Sequence, residues 1–154
     1  MLIMGTDYMC NDASVDLSMK RNGPSVFLKA YATSGAVENF PVMIQPGGSG
    51  YNATAIAETN YCYIGIPEGT QAVASGCVGW FQIRGPVDDV QGASTSMAGS
   101  IGHAVYWADA TGLGCSGSIY VGNPLVGQIG TLRQYADEST TVNIYLTGVW
   151  CTGI

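Results

Sequence analysis

The sequence predicts an all-β fold, a compact small β-barrel or β-sandwich with short strands and Gly-rich loops. Three observations predict it. No apolar period of 3.6 residues is sustained anywhere, several segments alternate apolar and polar residues with period two, and 22 glycines recur with turn chemistry between them. About seven to nine short strands are expected. A barrel and a two-sheet sandwich predict the same alternation, so both architectures stay open.

Residues 1–22 have no clear period and are punctuated by Asn11, Asp12, Ser14, Asp16 and Ser18. They are expected to form an N-terminal arm, or else a frayed end or irregular first strand, ahead of a single β domain spanning 23–154. After Gly23-Pro24, the run Val26-Phe27-Leu28-Lys29-Ala30-Tyr31 alternates as a strand and Pro41-Val42-Met43-Ile44 suggests another. Gly47-Gly48-Ser49-Gly50 marks a loop. It is no phosphate cradle, because neither Lys-Ser nor Lys-Thr follows and no helix opens after it. Asn52 to Glu58 is the one candidate helical turn, and Tyr61 to Ile66 is a strand closed by Pro67-Glu68-Gly69.

The most strand-like stretch runs from Cys77 to Val87. Cys77, Gly79, Phe81 and Ile83 share one face and read as core, while Trp80, Gln82 and Arg84 share the other and read as a surface row or a contact with another chain. Gly85-Pro86 is expected to stop this strand, since proline has no ladder donor and restricts the residue before it. Gln91 to Ser100 reads as a loop or a loosely packed edge. His103-Ala104-Val105-Tyr106-Trp107 and Ser118-Ile119-Tyr120-Val121 read as strands around a Gly-rich connection. Thr141 to Trp150 carries the cleanest alternation, with Val142, Ile144, Leu146 and Trp150 on one face and Asn143, Tyr145 and Thr147 on the other.

Charged residues make up 10% of the 154 residues, against 47% hydrophobic, where ordinary soluble chains carry roughly 25% charged residues. A folded monomer of this mass exposes roughly 7,400 Å², a large surface for 5 basic and 11 acidic side chains to protect. Assembly into a homo-oligomer or onto a partner is the favoured explanation. No run reaches the roughly 18 apolar residues of a spanning helix, so no membrane partner is expected. Met1-Leu2-Ile3-Met4 lacks a basic flank, so a cytosolic origin is the default. The net charge of −6 argues against nucleic acid. Lys20, Arg21 and Lys29 gather near the N-terminus as a local docking charge. The cysteines Cys10, Cys62, Cys77, Cys115 and Cys151 are odd in number and scattered, which indicates neither a disulfide framework nor a zinc ribbon. They read mostly as small buried apolar groups.

Catalytic chemistry finds no foothold, and neither a catalytic residue, a cofactor nor a metal is expected. His103 is the only histidine, and no nucleophile elbow accompanies it. Asp88-Asp89 reads as a solvated acidic pair at a turn. Asp12, Ser14, Asp16 and Ser18 imitate a calcium loop without its obligatory Gly and Glu. Tyr106, Trp107, Tyr145 and Trp150 fall on alternating strands, where packing alone favours aromatics.

The succession Tyr63-Ile64-Gly65-Ile66-Pro67, then Gly79-Trp80-Phe81-Gln82-Ile83-Arg84-Gly85-Pro86, Ser100-Ile101-Gly102-His103-Ala104-Val105, Gly127-Gln128-Ile129-Gly130-Thr131 and Val142-Asn143-Ile144-Tyr145-Leu146 resembles the small head accessory proteins of tailed phages, the decoration or cement proteins. The resemblance spans Tyr61 to Gly148. It implies a non-enzymatic, structural β protein of the virion, made in the host cytoplasm. Such a protein binds the outer surface of an assembled capsid, with the major capsid protein and its own copies, as trimer or dimer, for partners. On this reading Trp80, Gln82 and Arg84 belong to a subunit or capsid interface, and Lys20 and Arg21 help to seat the N-terminal arm. The alternative is a carbohydrate-binding β-sandwich module of a fibre or adhesin, which would use Tyr and Trp side chains as sugar platforms.

Overall fold

One strand, Cys77–Gln91, is 15 residues long and takes part in both layers of the molecule. The computed structural model describes residues 9–10, 19–33, 35–36, 38–47, 50–54, 63–69, 72–91, 97–108, 118–121 and 128–147. The fold is all-β, and thirteen strands and no helix occur among these residues. In chain order they are β1 (Met9–Cys10), β2 (Met19–Asn22), β3 (Ser25–Ala32), β4 (Val42–Gly47), β5 (Gly50–Thr54), β6 (Tyr63–Pro67) and β7 (Cys77–Gln91). Then follow β8 (Met97–Gly99), β9 (Ala104–Ala108), β10 (Ser118–Val121), β11 (Gln128–Leu132), β12 (Ala136–Ser139) and β13 (Thr141–Thr147).

Five strands close into a barrel. Around it β3 pairs with β7, β7 with β6, β6 with β4 and β4 with β5, all antiparallel, and a short parallel pairing of β5 with β3 completes the ring. This decides between the two architectures that alternation left open. Val26, Leu28, Ala30, Ala32, Val42, Ile44, Ala53, Phe81 and Ile83 are buried together in its core. The three alanines keep the side-chain volume within what so small an interior holds.

The second layer hangs from the far half of β7, where β13 pairs from Thr141↔Gln91 to Thr147↔Arg84 and is followed in order by β11, β9 and β10. Its buried face, Val142, Ile144, Leu146, Ile129, Leu132 and Val105, clusters with Met43, Ile64 and Ile66 of β4 and β6. The small β8–β12 sheet adds Met97 and Ala136 to the same cluster. Strands β4 and β6 are therefore covered on both faces. That is why Val42-Met43-Ile44 is apolar without a break.

The expectation that Gly85-Pro86 ends the central strand is corrected. The chain bends there and continues: the ladder with β3 shifts between Gln82 and Arg84, while the ladder with β13 runs unbroken from Arg84 to Val87 and shifts only beyond, at Asp88-Asp89. Gly85 takes φ +100°, a conformation that glycine adopts without strain. The Gln82 amide spans the bend, its Nε2 donating to the carbonyls of Arg84 (3.1 Å) and Pro86 (2.8 Å) and contacting Ser25 Oγ at 3.1 Å. A proline without a ladder donor is tolerated at such an irregularity.

Other expectations change as well. Asn52 to Thr54 belong to β5 rather than to a helical turn, and residues 55–58 lie outside the described set. The strand count exceeds seven to nine because β1, β2, β8 and β12 have two to four residues each, too short to show a period. β8 lies inside the stretch read as a loop. Within residues 1–22, β1 pairs with β7 and β2 with β3. The β2–β3 hairpin turns on Gly23-Pro24, with Gly23 at φ +56° as the primed hairpin turns require at their first central position. Cys77 is buried, yet it is disulfide-bonded and not merely an apolar filler. Whether two cysteines meet is set by topology, which spacing does not carry. Opposite Cys77 in the β1–β7 ladder stands Cys10. Trp150 lies outside the described residues.

A Cβ at residue 85 would stand 2.8 Å from both Pro24 O and Ser25 Cα, in a backbone conformation hostile to L side chains. Gly85→Ala is expected to lower stability by about 1–3 kcal/mol. The urea unfolding midpoint measures it, against Gly23→Ala, where nothing lies within 4 Å and a smaller loss is expected.

Candidate functional site

Strands β2, β3 and β7 carry four of the chain's five basic residues, Lys20, Arg21, Lys29 and Arg84, and three of them, Lys20, Lys29 and Arg84, lie on the outer wall of the barrel. Register explains how. Lys20 stands opposite Phe27, Phe27 opposite Gln82, and Lys29 opposite Trp80, so these side chains share the face turned away from the barrel interior. Lys20 reaches across β3, placing its Nζ 5.1 Å from the Phe27 ring centroid and 4.6 Å from that of Trp80. There it ion-pairs with Glu68 Oε2 at 2.5 Å. Glu68 follows β6 and is held beside Trp80 by its own N–H, which donates to the Trp80 carbonyl at 2.9 Å.

A cation between two aromatic faces and a carboxylate is a packing unit that pins β2 over the barrel. The second Glu68 oxygen, Oε1, is buried without a partner among the described residues. The Lys20 charge thus compensates a carboxylate that has little other support.

The residues singled out from the sequence take different roles here. Trp80 and Lys20 come together, both half-buried. Gln82 lies in the same row but its amide is spent on the bend of β7. Arg84 and Arg21 are exposed and make no ion pair with a described residue. Lys20 and Arg21, grouped by sequence, are separated by the strand, because consecutive residues point to opposite faces. Lys29, directly opposite Trp80, completes the wall. Its alternation with Phe27 and Tyr31 was the signal that would have placed it there.

On the side of β7 toward the second layer lies an open cleft of about 370 Å³, lined by Glu38, Glu68, Asp88 and Asp89 among others. Among the described residues, four acids therefore line this cleft while Lys20, Lys29 and Arg84 lie on the outer wall. Arg133, on the second layer, pairs with Asp88 at 2.7 Å. His103 is exposed, and its Nδ1 accepts from the Ser100 N–H at 3.3 Å while the His103 N–H donates to the Ser100 carbonyl at 3.0 Å. The imidazole braces a tight turn. Among the described residues, no three His, Cys, Asp or Glu side chains are grouped to hold a metal ion, and no helix is long and apolar enough to cross a membrane.

No protein-family model matches the chain, and no curated protein matches it. Among solved structures, the head fiber gp8.5 N base of bacteriophage phi29 is similar at 16% sequence identity and a TM-score of 0.46, over 82% of this chain and 98% of that one.

Lys20→Ala is expected to cost roughly 1–3 kcal/mol, since it removes two cation–π contacts and leaves the Glu68 carboxylate uncompensated. Lys20→Met keeps the apolar stem over both rings. Urea unfolding of the two variants separates the contribution of charge from that of packing.

Proposed function

We propose that this protein is a structural component of a tailed-phage virion that binds the outer surface of the assembled capsid and stabilises it across the joints between capsomers. The observation that carries the reading is the clustering of basic residues on β2, β3 and β7. In a chain of net charge −6 with few charges of any kind, four of five cations lie on three adjacent strands. Two of them, Arg21 and Arg84, are left exposed. The resemblance of the motif succession to that of decoration proteins supports the same assignment, as does a low-charge surface suited to burial against partners.

The role would be one of linkage. A protein that binds only the assembled shell adds its binding free energy to that state, and several footholds per oligomer multiply the effect. Partners on this reading are the major capsid protein and further copies of the chain, the site of action is the capsid exterior after synthesis in the host cytoplasm, and no catalytic step is involved. The half-buried Trp80 supplies an apolar centre to the wall, Arg84 supplies its polar rim, and Arg21, exposed on the other face of β2, extends the basic surface past it.

Arg21→Glu/Arg84→Glu is expected to reduce shell occupancy at least roughly tenfold, because reversed rim charges repel an acidic partner. Co-sedimentation with purified expanded shells measures it. Since both side chains are exposed, the unfolding midpoint should stay close to that of the parent protein. Unchanged occupancy for the double variant would remove this wall from the interface.

A further inference from the structure

A second pocket lies at the end of the outer layer; it shares Asp89 with the cleft, and no residue of the basic wall lines it. It is about 140 Å³ in volume and is lined by Asp89, Gln134, Tyr135, Ala136, Thr141, Val142 and Asn143. We propose that this pocket is a binding subsite for a neutral sugar ring.

Its floor is firm. Ala136 and Val142 belong to the buried core cluster that joins the two layers. Its polar groups are held in place by one another: Asn143 Oδ1 accepts from the Asp89 N–H at 2.9 Å, and Asn143 Nδ2 donates to Gln134 Oε1 at 2.7 Å. The backbone of the same segment is tied down by the Arg133 N–H, which donates to the Asn143 carbonyl at 2.9 Å. Because Gln134 Oε1 is the acceptor, its amide hydrogens remain to be donated, and they meet no described partner. The Asp89 carboxylate likewise has none, whereas its neighbour Asp88 is paired with Arg133. Tyr135 lines this pocket and stands 63% exposed.

These groups discriminate among ligand classes. A carboxylate acceptor, an amide donor and the Thr141 hydroxyl suit a ligand that both donates and accepts at neighbouring positions. An apolar ligand would leave all three unpaired, at a cost in desolvation. An anion would meet the Asp89 charge, and a cation would find one carboxylate, with the Asn143 and Gln134 amide oxygens already accepting hydrogen bonds. A pyranose presents adjacent hydroxyls along its edge and an apolar C–H face above, which fits an exposed aromatic beside a polar pocket. The inference does not rest on capsid binding, since no residue of the basic wall takes part.

The test is a titration of the ¹⁵N-labelled full chain with D-glucose, D-galactose, D-mannose and N-acetyl-D-glucosamine, followed by amide chemical shifts. Saturable shifts at Asp89, Gln134, Tyr135 and Asn143 are expected with at least one sugar. Tyr135→Ala should weaken that binding roughly tenfold, the size of one stacking aromatic. Asp89→Asn, which preserves the residue's tolerance of φ +55°, should weaken it severalfold. Absence of saturable shifts with all four sugars, shifts that map elsewhere, or affinities unchanged in both variants would overturn the proposal. Shell occupancy is read in a separate experiment, so either conclusion can fail alone.

Discussion

Everything in this molecule depends on β7 changing direction without ending. Its first half closes the barrel between β3 and β6, and its second half carries β13 and the rest of the outer layer. A strand that stopped at Gly85 would leave the outer sheet without its ladder, and a straight one would carry that sheet away from β4 and β6. The bend exists because three residue types coincide: a glycine free to take φ +100°, a proline that needs no donor, and a glutamine three residues before that glycine. The Gln82 amide supplies hydrogen bonds where the ladder cannot.

The same bend organises the charge. On the convex outer wall Lys20, Lys29 and Arg84 are set on or beside β7, while Asp88 and Asp89 fall beyond the bend and line the cleft with Glu38 and Glu68. Among the described residues, basic side chains thus dominate the wall and carboxylates the cleft, where Arg133 pairs with Asp88. Lys20 connects them, lying on the basic wall while pairing with an acid that lines the cleft.

Packing accounts for which apolar residues do which task. The barrel interior uses Phe81 with small partners such as Ala30, Ala32 and Ala53, whereas the interlayer core uses Met43, Ile64 and Ile66 against Ile144 and Leu146. β4 contributes to both, Val42 and Ile44 inward and Met43 outward. The side-chain period of two thus becomes two cores from one strand.

Alternation alone established a good deal. It marked β3, β6, the core face of β7 and the buried face of β13, because a strand with one wet face must repeat every two residues. It likewise separated Phe81 and Ile83 from Trp80 and Gln82. The short strands β1, β2, β8 and β12 stayed hidden, unlike the four-residue β10 with its Ile119, Tyr120 and Val121; β5 stayed hidden behind Asn52-Ala53-Thr54, since so few positions fit helix and strand equally well. Closure of the barrel, the disulfide at Cys77 and the use of Gln82 as a brace were decided only in three dimensions. Each depends on which segments become neighbours across dozens of residues, and a local pattern carries no term for that distance. For the same reason Lys20 looked like a docking charge in the sequence. Only the tertiary structure brings Trp80, Phe27 and Glu68 around it.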